Sequence, residues 1–214
     1  MRPSNGQDGA LIKRLGLIEY RPTYAAMRQF TTSRLAGTTD EIWILQHPPV
    51  YTVGLAGRPE HLPRTSAIPV ERIDRGGQIT YHGPGQSVVY TLLDLKRLNL
   101  KIRQLVNLIE QAVVDLLAEY NVEAQRKSAA PGVYVGGAKV AALGLRIRNG
   151  CCYHGVALNA DMDLTPFQAI DPCGYPGLRV TQTRDLGIQA SADELGEQLA
   201  GRLIHLFAKH ERSH

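Results

Sequence analysis

The sequence predicts an α/β chain of the α+β type, a mixed β-sheet with flanking helices. Three observations carry this: two long segments with helical apolar spacing, several β-branched apolar runs separated by glycines, and no regular strand–helix alternation. In chain order, Leu11 to Tyr20 reads as a strand, and Thr23 to about Ala36 as a helix with Pro22 near its start. Glu41 to Gln46 is a short apolar strand holding the single tryptophan, Trp43. It runs into His47-Pro48-Pro49, which must leave regular structure because neither proline can donate to a ladder. Ser87 to Leu93 is a second apolar run. Residues 102 to 120 give the clearest helix, with Leu105, Ile109, Ala112, Leu116 and Tyr120 at steps of three and four. Gly132 to Val135, Lys139 to Arg148 and Cys152 to Asn159 then read as strands. A last helix starts at Ser191, where Ser191-Ala192-Asp193-Glu194 forms a capping box.

The 214 residues suit one sizeable domain, expected over residues 10–214 after a flexible polar tail, Met1 to Gly9. That tail has no apolar run, so it reads as neither a secretory signal nor a membrane span, and a cytoplasmic protein is expected. Three cysteines, Cys151, Cys152 and Cys173, follow no disulfide spacing, so their reactivity becomes the question. A formal charge of +4 without basic clusters among aromatics falls short of a nucleic-acid footprint. It suits an acidic protein partner.

Two segments and one lysine carry candidate chemistry. The stretch Arg75-Gly76-Gly77-Gln78-Ile79-Thr80-Tyr81-His82-Gly83-Pro84-Gly85 combines four glycines with several donors, as a ligand-contacting loop would. Its other reading is a hairpin turn with polar neighbours. No Gly-Lys-Ser/Thr follows, so it is not a phosphate-binding loop. In Asp171-Pro172-Cys173-Gly174-Tyr175, proline stiffens the approach to Cys173 and glycine permits a sharp turn. Cys173 reads as a nucleophile beside oxyanion-binding N–H groups, or as a small buried hydrophobe. Cys151 and Cys152 compete for the role, but strand alternation should bury one and expose the other, and both read as structural. A zinc site from Cys151, Cys152, His154 and Cys173 lacks ligand spacing, and no metal is expected. Lys139 follows two glycines and precedes an apolar run; it reads as a snorkelling edge residue or, against a thiol, as its activator.

These blocks together resemble the octanoyltransferases, also called the lipoate-protein ligase B family. The resemblance runs from about Glu19 to the final helix. It rests on His47 to Gly54, Arg75 to Gly85, Ala130 to Val135, Leu143 to Arg146, His154 to Asn159 and Pro172-Cys173-Gly174. It implies a biotin/lipoate protein ligase-like fold, an acyl-thioester on Cys173 and Lys139 as the residue that lowers its pKa. It places substrate contacts at Arg75 to His82, at Ala142, Leu143 and Gly144, and at Gly155, Val156 and Ala157. Ala142 stands where the family often has serine.

The implied reaction moves an octanoyl group from acyl carrier protein to a lysine of lipoyl domains, with no cofactor. The acceptors it implies are the lipoyl domains of 2-oxoacid dehydrogenases and the glycine cleavage H protein, with no nucleic acid or membrane as partner. His82 and His154 are candidates for orientation or proton transfer. Lys96, Arg97, Lys101, Arg103, Arg126, Lys127, Arg146 and Arg148 are candidates to receive the acidic carrier, or an ordinary solvated surface. The competing functions are an ATP-dependent lipoate or biotin ligase on the same fold, and a non-catalytic acyl-binding module.

Overall fold

Strand pairing in the computed structural model joins distant parts of the chain into one seven-stranded mixed sheet. The structure describes residues 9–63, 65–127 and 130–212, apart from the side chains of Cys173 and Arg212, so the expected tail lies, except for Gly9, outside the described residues. In chain order the strands are β1 (Leu11–Leu17), β2 (Glu41–Gln46), β3 (Val50–Val53), β4 (Val70–Arg72) and β5 (Ile79–His82). They continue as β6 (Gln86–Asp94), β7 (Gln125–Arg126), β8 (Val133–Val135), β9 (Ala138–Arg148) and β10 (Cys151–Asn159). The helices are α1 (Tyr20–Thr32), α2 (Ile102–Glu119) and α3 (Ala192–Arg212). The large sheet has the order β1-β2-β6-β10-β9-β8-β7, with only β1 and β2 parallel, and a small sheet has the order β4-β3-β5.

Helices cover both faces of the large sheet. On one face α2 and α3 bury Leu105, Ile109, Leu116, Leu195 and Leu199 against Ile44, Val89 and Val156. Each fully buried leucine contributes roughly 2 kcal/mol of apolar transfer. On the other face α1 packs Met27 against Trp43, Leu45, Val88 and Tyr90. The capping box forms as expected: Ser191 N–H donates to Glu194 Oε2 at 2.8 Å, and Glu194 N–H donates to Ser191 Oγ at 3.2 Å.

The first strand is shorter than expected and the first helix starts earlier. Strand β1 ends at Leu17, and α1 begins at Tyr20, with Pro22 inside its first turn where a missing N–H costs nothing. Helix α1 also ends at Thr32, short of Ala36. The small sheet was not foreseen; residues 79–82, expected as loop, form its strand β5.

Gly85 closes the turn between β5 and β6 with φ +84°, and a Cβ there would lie 1.9 Å from Asp161 O. Gly85→Ala should therefore lower unfolding free energy by roughly 3 kcal/mol. Urea denaturation checks this, and an unchanged midpoint would contradict the packing described.

Candidate active site

A cavity of about 370 Å³ opens between the small sheet and the middle of the large one. That volume falls in the range of small-molecule sites, roughly 300–1,000 Å³. Its floor is built by strand register. Ala157 pairs with Ala142 and Gly155 with Gly144, placing four small residues on adjacent positions of β10 and β9. Val88 and Tyr90 of β6 continue the row opposite Ala157 and Gly155. The result is a shallow apolar bed with room for an extended chain. Leu143 and Val156 also line it, as does every member of the segment Arg75 to His82 except Tyr81. Strand alternation turns the Tyr81 ring onto Tyr51 and Phe167.

Lys139, on β9, lines the same cavity and is only 3% exposed. Its Nζ donates to Pro131 O at 3.0 Å and lies 5.2 Å from the centre of the Tyr134 ring. Its backbone pairs with the chain beyond Cys173: Lys139 N–H donates to Arg179 O at 2.9 Å, and Thr181 N–H donates to Lys139 O at 3.0 Å. A buried ammonium held by a carbonyl and a ring face is therefore fixed in place, which overturns the edge-lysine reading.

Cys173 lies in the short 3-10 turn Pro172–Gly174, and its side chain is outside the described set. Gly174 adopts φ +74°, and a Cβ on it would come within 2.8 Å of the Gln78 side chain. The turn is thus pressed against a cavity-lining residue, and the next residue, Tyr175, lines the cavity itself. His61 Nδ1 meets Asp171 Oδ2 at 2.9 Å and ties the start of the turn to a neighbouring loop. The Gly174 N–H donates to Asp171 O at 2.9 Å, and the Gly76 N–H donates to Leu145 O at 2.9 Å.

The inner end of the cavity is aromatic and rich in histidine. Arg75, 7% exposed, donates Nη2 to Thr52 O at 2.6 Å and to Thr52 Oγ1 at 2.9 Å. Thr52 Oγ1 lies 3.2 Å from His82 Nε2, and His82 Nδ1 lies 2.7 Å from Gln86 Oε1. Gln86 in turn donates to Tyr81 O and Asn159 Oδ1, so its Oε1 is the acceptor and His82 Nδ1 carries the proton. Both ring nitrogens of His82 are occupied by this network. His47 is held likewise, between Ile18 O at 2.7 Å and the Tyr90 hydroxyl at 2.8 Å. Burial pushes His47 down to about 4 and His82 down to about 3, and the neighbouring His47 adds to the lowering of His82.

His154 lines the cavity at 2% exposure with φ +65°, a conformation that costs a non-glycine residue roughly 1–3 kcal/mol. That twist breaks strand alternation and stacks its ring on Tyr153, with centroids 5.0 Å apart. Its Nε2 sits 3.7 Å from Asp74 Oδ1, an electrostatic pairing too long for a hydrogen bond. Tyr153 donates to Asp74 Oδ2 at 2.5 Å. Burial pushes the Asp74 carboxyl up, but His154, Tyr153 and Tyr24 facing it reverse that and bring it well below the usual range. Burial lowers His154, and Asp74 opposes the shift. Asp74 and Tyr24 were missed from sequence, the one signal being the adjacency of Asp74 to Arg75, and His47 stood out there only as the start of the His47 to Gly54 block.

Cys151 and Cys152 depart from the expected alternation, since both are buried. Cys152 lies in the core beneath α2 and α3, where burial pushes its thiol up to about 12; burial raises Cys151 as well. Neither is poised as a thiolate.

The model of the lipoyl protein ligase A/B catalytic domain family matches residues 19–204. An octanoyltransferase of Dechloromonas aromatica (strain RCB) is 64% identical over 91% of this chain and 95% of its own length. Among solved structures, a bi-partite lipoate protein ligase of Thermoplasma acidophilum superposes with a TM-score of 0.72 at 18% identity, covering 95% of this chain and 91% of that one. The biotin protein ligase of Aquifex aeolicus gives 0.57 at 13% identity, covering 94% and 70%. These two likenesses establish the biotin/lipoate ligase fold.

The two buried histidines set a pH dependence. Above an ordinary histidine pKa of 6.5 both are neutral whether folded or not, and they contribute no slope. As pH falls from 6.5 toward about 4 for His47 and about 3 for His82, the unfolded chain binds protons that the native state refuses. Stability should fall by up to about 1.4 kcal/mol per pH unit per histidine. Urea midpoints across that window check this, and His47→Gln should flatten the slope. A midpoint independent of pH there would contradict the burial of both rings.

Proposed function

The chain belongs to the lipoyl protein ligase A/B catalytic family, in its octanoyltransferase branch, and we propose that this acyltransferase works through a Cys173 thioester activated by Lys139. The reading is supported most by one arrangement: Lys139 and the residue following the Cys173 turn, Tyr175, line the same acyl-sized cavity. An isolated thiol is only about 3% thiolate near pH 7, and an adjacent ammonium stabilises the thiolate. The thiolate attacks the octanoyl thioester carbonyl, and the donor's thiol leaves with the proton. One thioester replaces another, so the step is near neutral in free energy and needs no nucleotide. The acceptor amine then attacks, the amide forms downhill, and the Cys173 thiolate is expelled. Lys139 carries protons in both steps. The octanoyl chain lies on the bed of Ala142, Gly144, Gly155 and Ala157, against Leu143 and Val156.

The donor is octanoyl-acyl carrier protein. The acceptors are lysines of lipoyl domains, those of 2-oxoacid dehydrogenases and of the glycine cleavage H protein. The setting is the cytoplasm; among the described residues no helix is long and apolar enough to cross a membrane. The exposed residues Lys101 and Arg103 flank Ile102, which is 53% exposed and lines the cavity, so a carrier docked there delivers its acyl arm directly. Arg97 and Arg146 are engaged otherwise, with Asp40 and Asp74 respectively, and are weaker docking candidates.

Intact mass spectrometry after incubation with octanoyl-acyl carrier protein tests the reading. One octanoyl group should appear on Cys173, labile to hydroxylamine, and be absent in Cys173→Ser. Octanoyl transfer by Cys173→Ser in the presence of ATP would instead identify an adenylating ligase. Tight binding with no adduct on the wild type would identify an acyl-binding module.

A further inference from the structure

Glu110 is a charged side chain in an apolar place. It sits on α2 between Ile109 and Ala112 on the buried face of that helix, and is 5% exposed. A carboxyl so placed is costly unless its oxygens are engaged. Its Oε1 accepts the Gly132 N–H at 2.8 Å. The other end of the same peptide unit, Pro131 O, accepts from Lys139 Nζ at 3.0 Å.

A trans peptide is a rigid plane whose C=O and N–H point in opposite directions. No cis peptide occurs among the described residues, so this geometry holds between Pro131 and Gly132. One plane is thus pinned at both ends, by a carboxyl on α2 and by the ammonium of Lys139. Rotating it to free either bond breaks the other. The loop also passes close to the lysine: a Cβ on Gly132, at φ +139°, would lie 3.0 Å from Lys139 Cε and 3.1 Å from Nζ. Only glycine lets the backbone run there. A carboxyl accepting from the N–H further polarises the carbonyl across the amide, strengthening its grip on the ammonium.

We propose that Glu110 is a positioning residue of the active site, holding the Lys139 ammonium in place through the Pro131–Gly132 peptide plane. The inference rests on the reading of Lys139 as the partner of Cys173. It adds a residue about thirty positions upstream in sequence, on a different element, with no contact to substrate.

The test is the pH profile of Cys173 alkylation by iodoacetamide, which needs the thiol alone and no octanoyl donor. Glu110→Met keeps the volume and removes the acceptor; Glu110→Ala runs beside it, so that misfolding of one leaves the other. Both should raise the alkylation midpoint by about one pH unit and slow alkylation near pH 7 about tenfold. Glu110→Gln, which retains Oε1, should restore the wild-type midpoint. Octanoyl transfer should show the loss in kcat with KM nearly unchanged. A wild-type alkylation profile in folded Glu110→Met or Glu110→Ala would overturn the inference, even if their melting temperatures drop. Failure of the nucleophile reading shows separately, as absence of an octanoyl adduct on wild-type Cys173, and leaves the alkylation comparison intact.

Discussion

A buried ammonium is the constraint around which this site is arranged. Lys139 is 3% exposed, and withdrawing its charge from water is costly unless acceptors replace the solvent. The Pro131 carbonyl and the Tyr134 ring provide them, and both belong to the short chain segment that forms β8 and the turn before it. The backbone of Lys139 meanwhile pairs with residues 179 and 181, just beyond the Cys173 turn. One residue therefore connects three things: a strand of the large sheet, the loop that holds its charge, and the segment bearing Cys173. Moving the lysine would disturb all three together.

The opposite end of the cavity follows a different rule. There the histidines are buried neutral, with His47 and His82 hydrogen-bonded on both ring nitrogens. Such rings cannot move protons without breaking their networks; His82 lines the cavity and His47 packs behind it against Tyr90 and His82. Arg75 donates to Thr52 and Gly76. The cavity consequently combines aromatic and histidine packing with small residues along its floor and the buried Lys139.

Long amphipathic segments were legible in the sequence because period and capping agreed. Helix α2 and strands β6, β9 and β10 fall within a residue or two of their expected limits, and α3 starts one residue after Ser191. The small sheet was not legible, since β3, β4 and β5 have only three or four residues each and too few to show a period. The histidine–tyrosine wall was hidden for another reason: Tyr20, His47, His82, Tyr90 and His154 come from five separate segments that only strand order brings together. His154 defied alternation through a positive φ that its residue type does not announce. Glu110 did leave a trace, as an acidic residue inside an apolar helical face, a pattern that asks for a partner. Cys173 and Lys139 were singled out from motif and resemblance, yet residue chemistry alone left both open.

A crystal structure of the octanoyl-loaded enzyme tests most directly whether Lys139 and Cys173 act on one acyl group across one cavity. The thioester sulfur should lie within about 6 Å of Lys139 Nζ, with the chain along Ala142, Gly144, Gly155 and Ala157. An acyl chain outside that bed, or a lysine turned away from the sulfur, would contradict it.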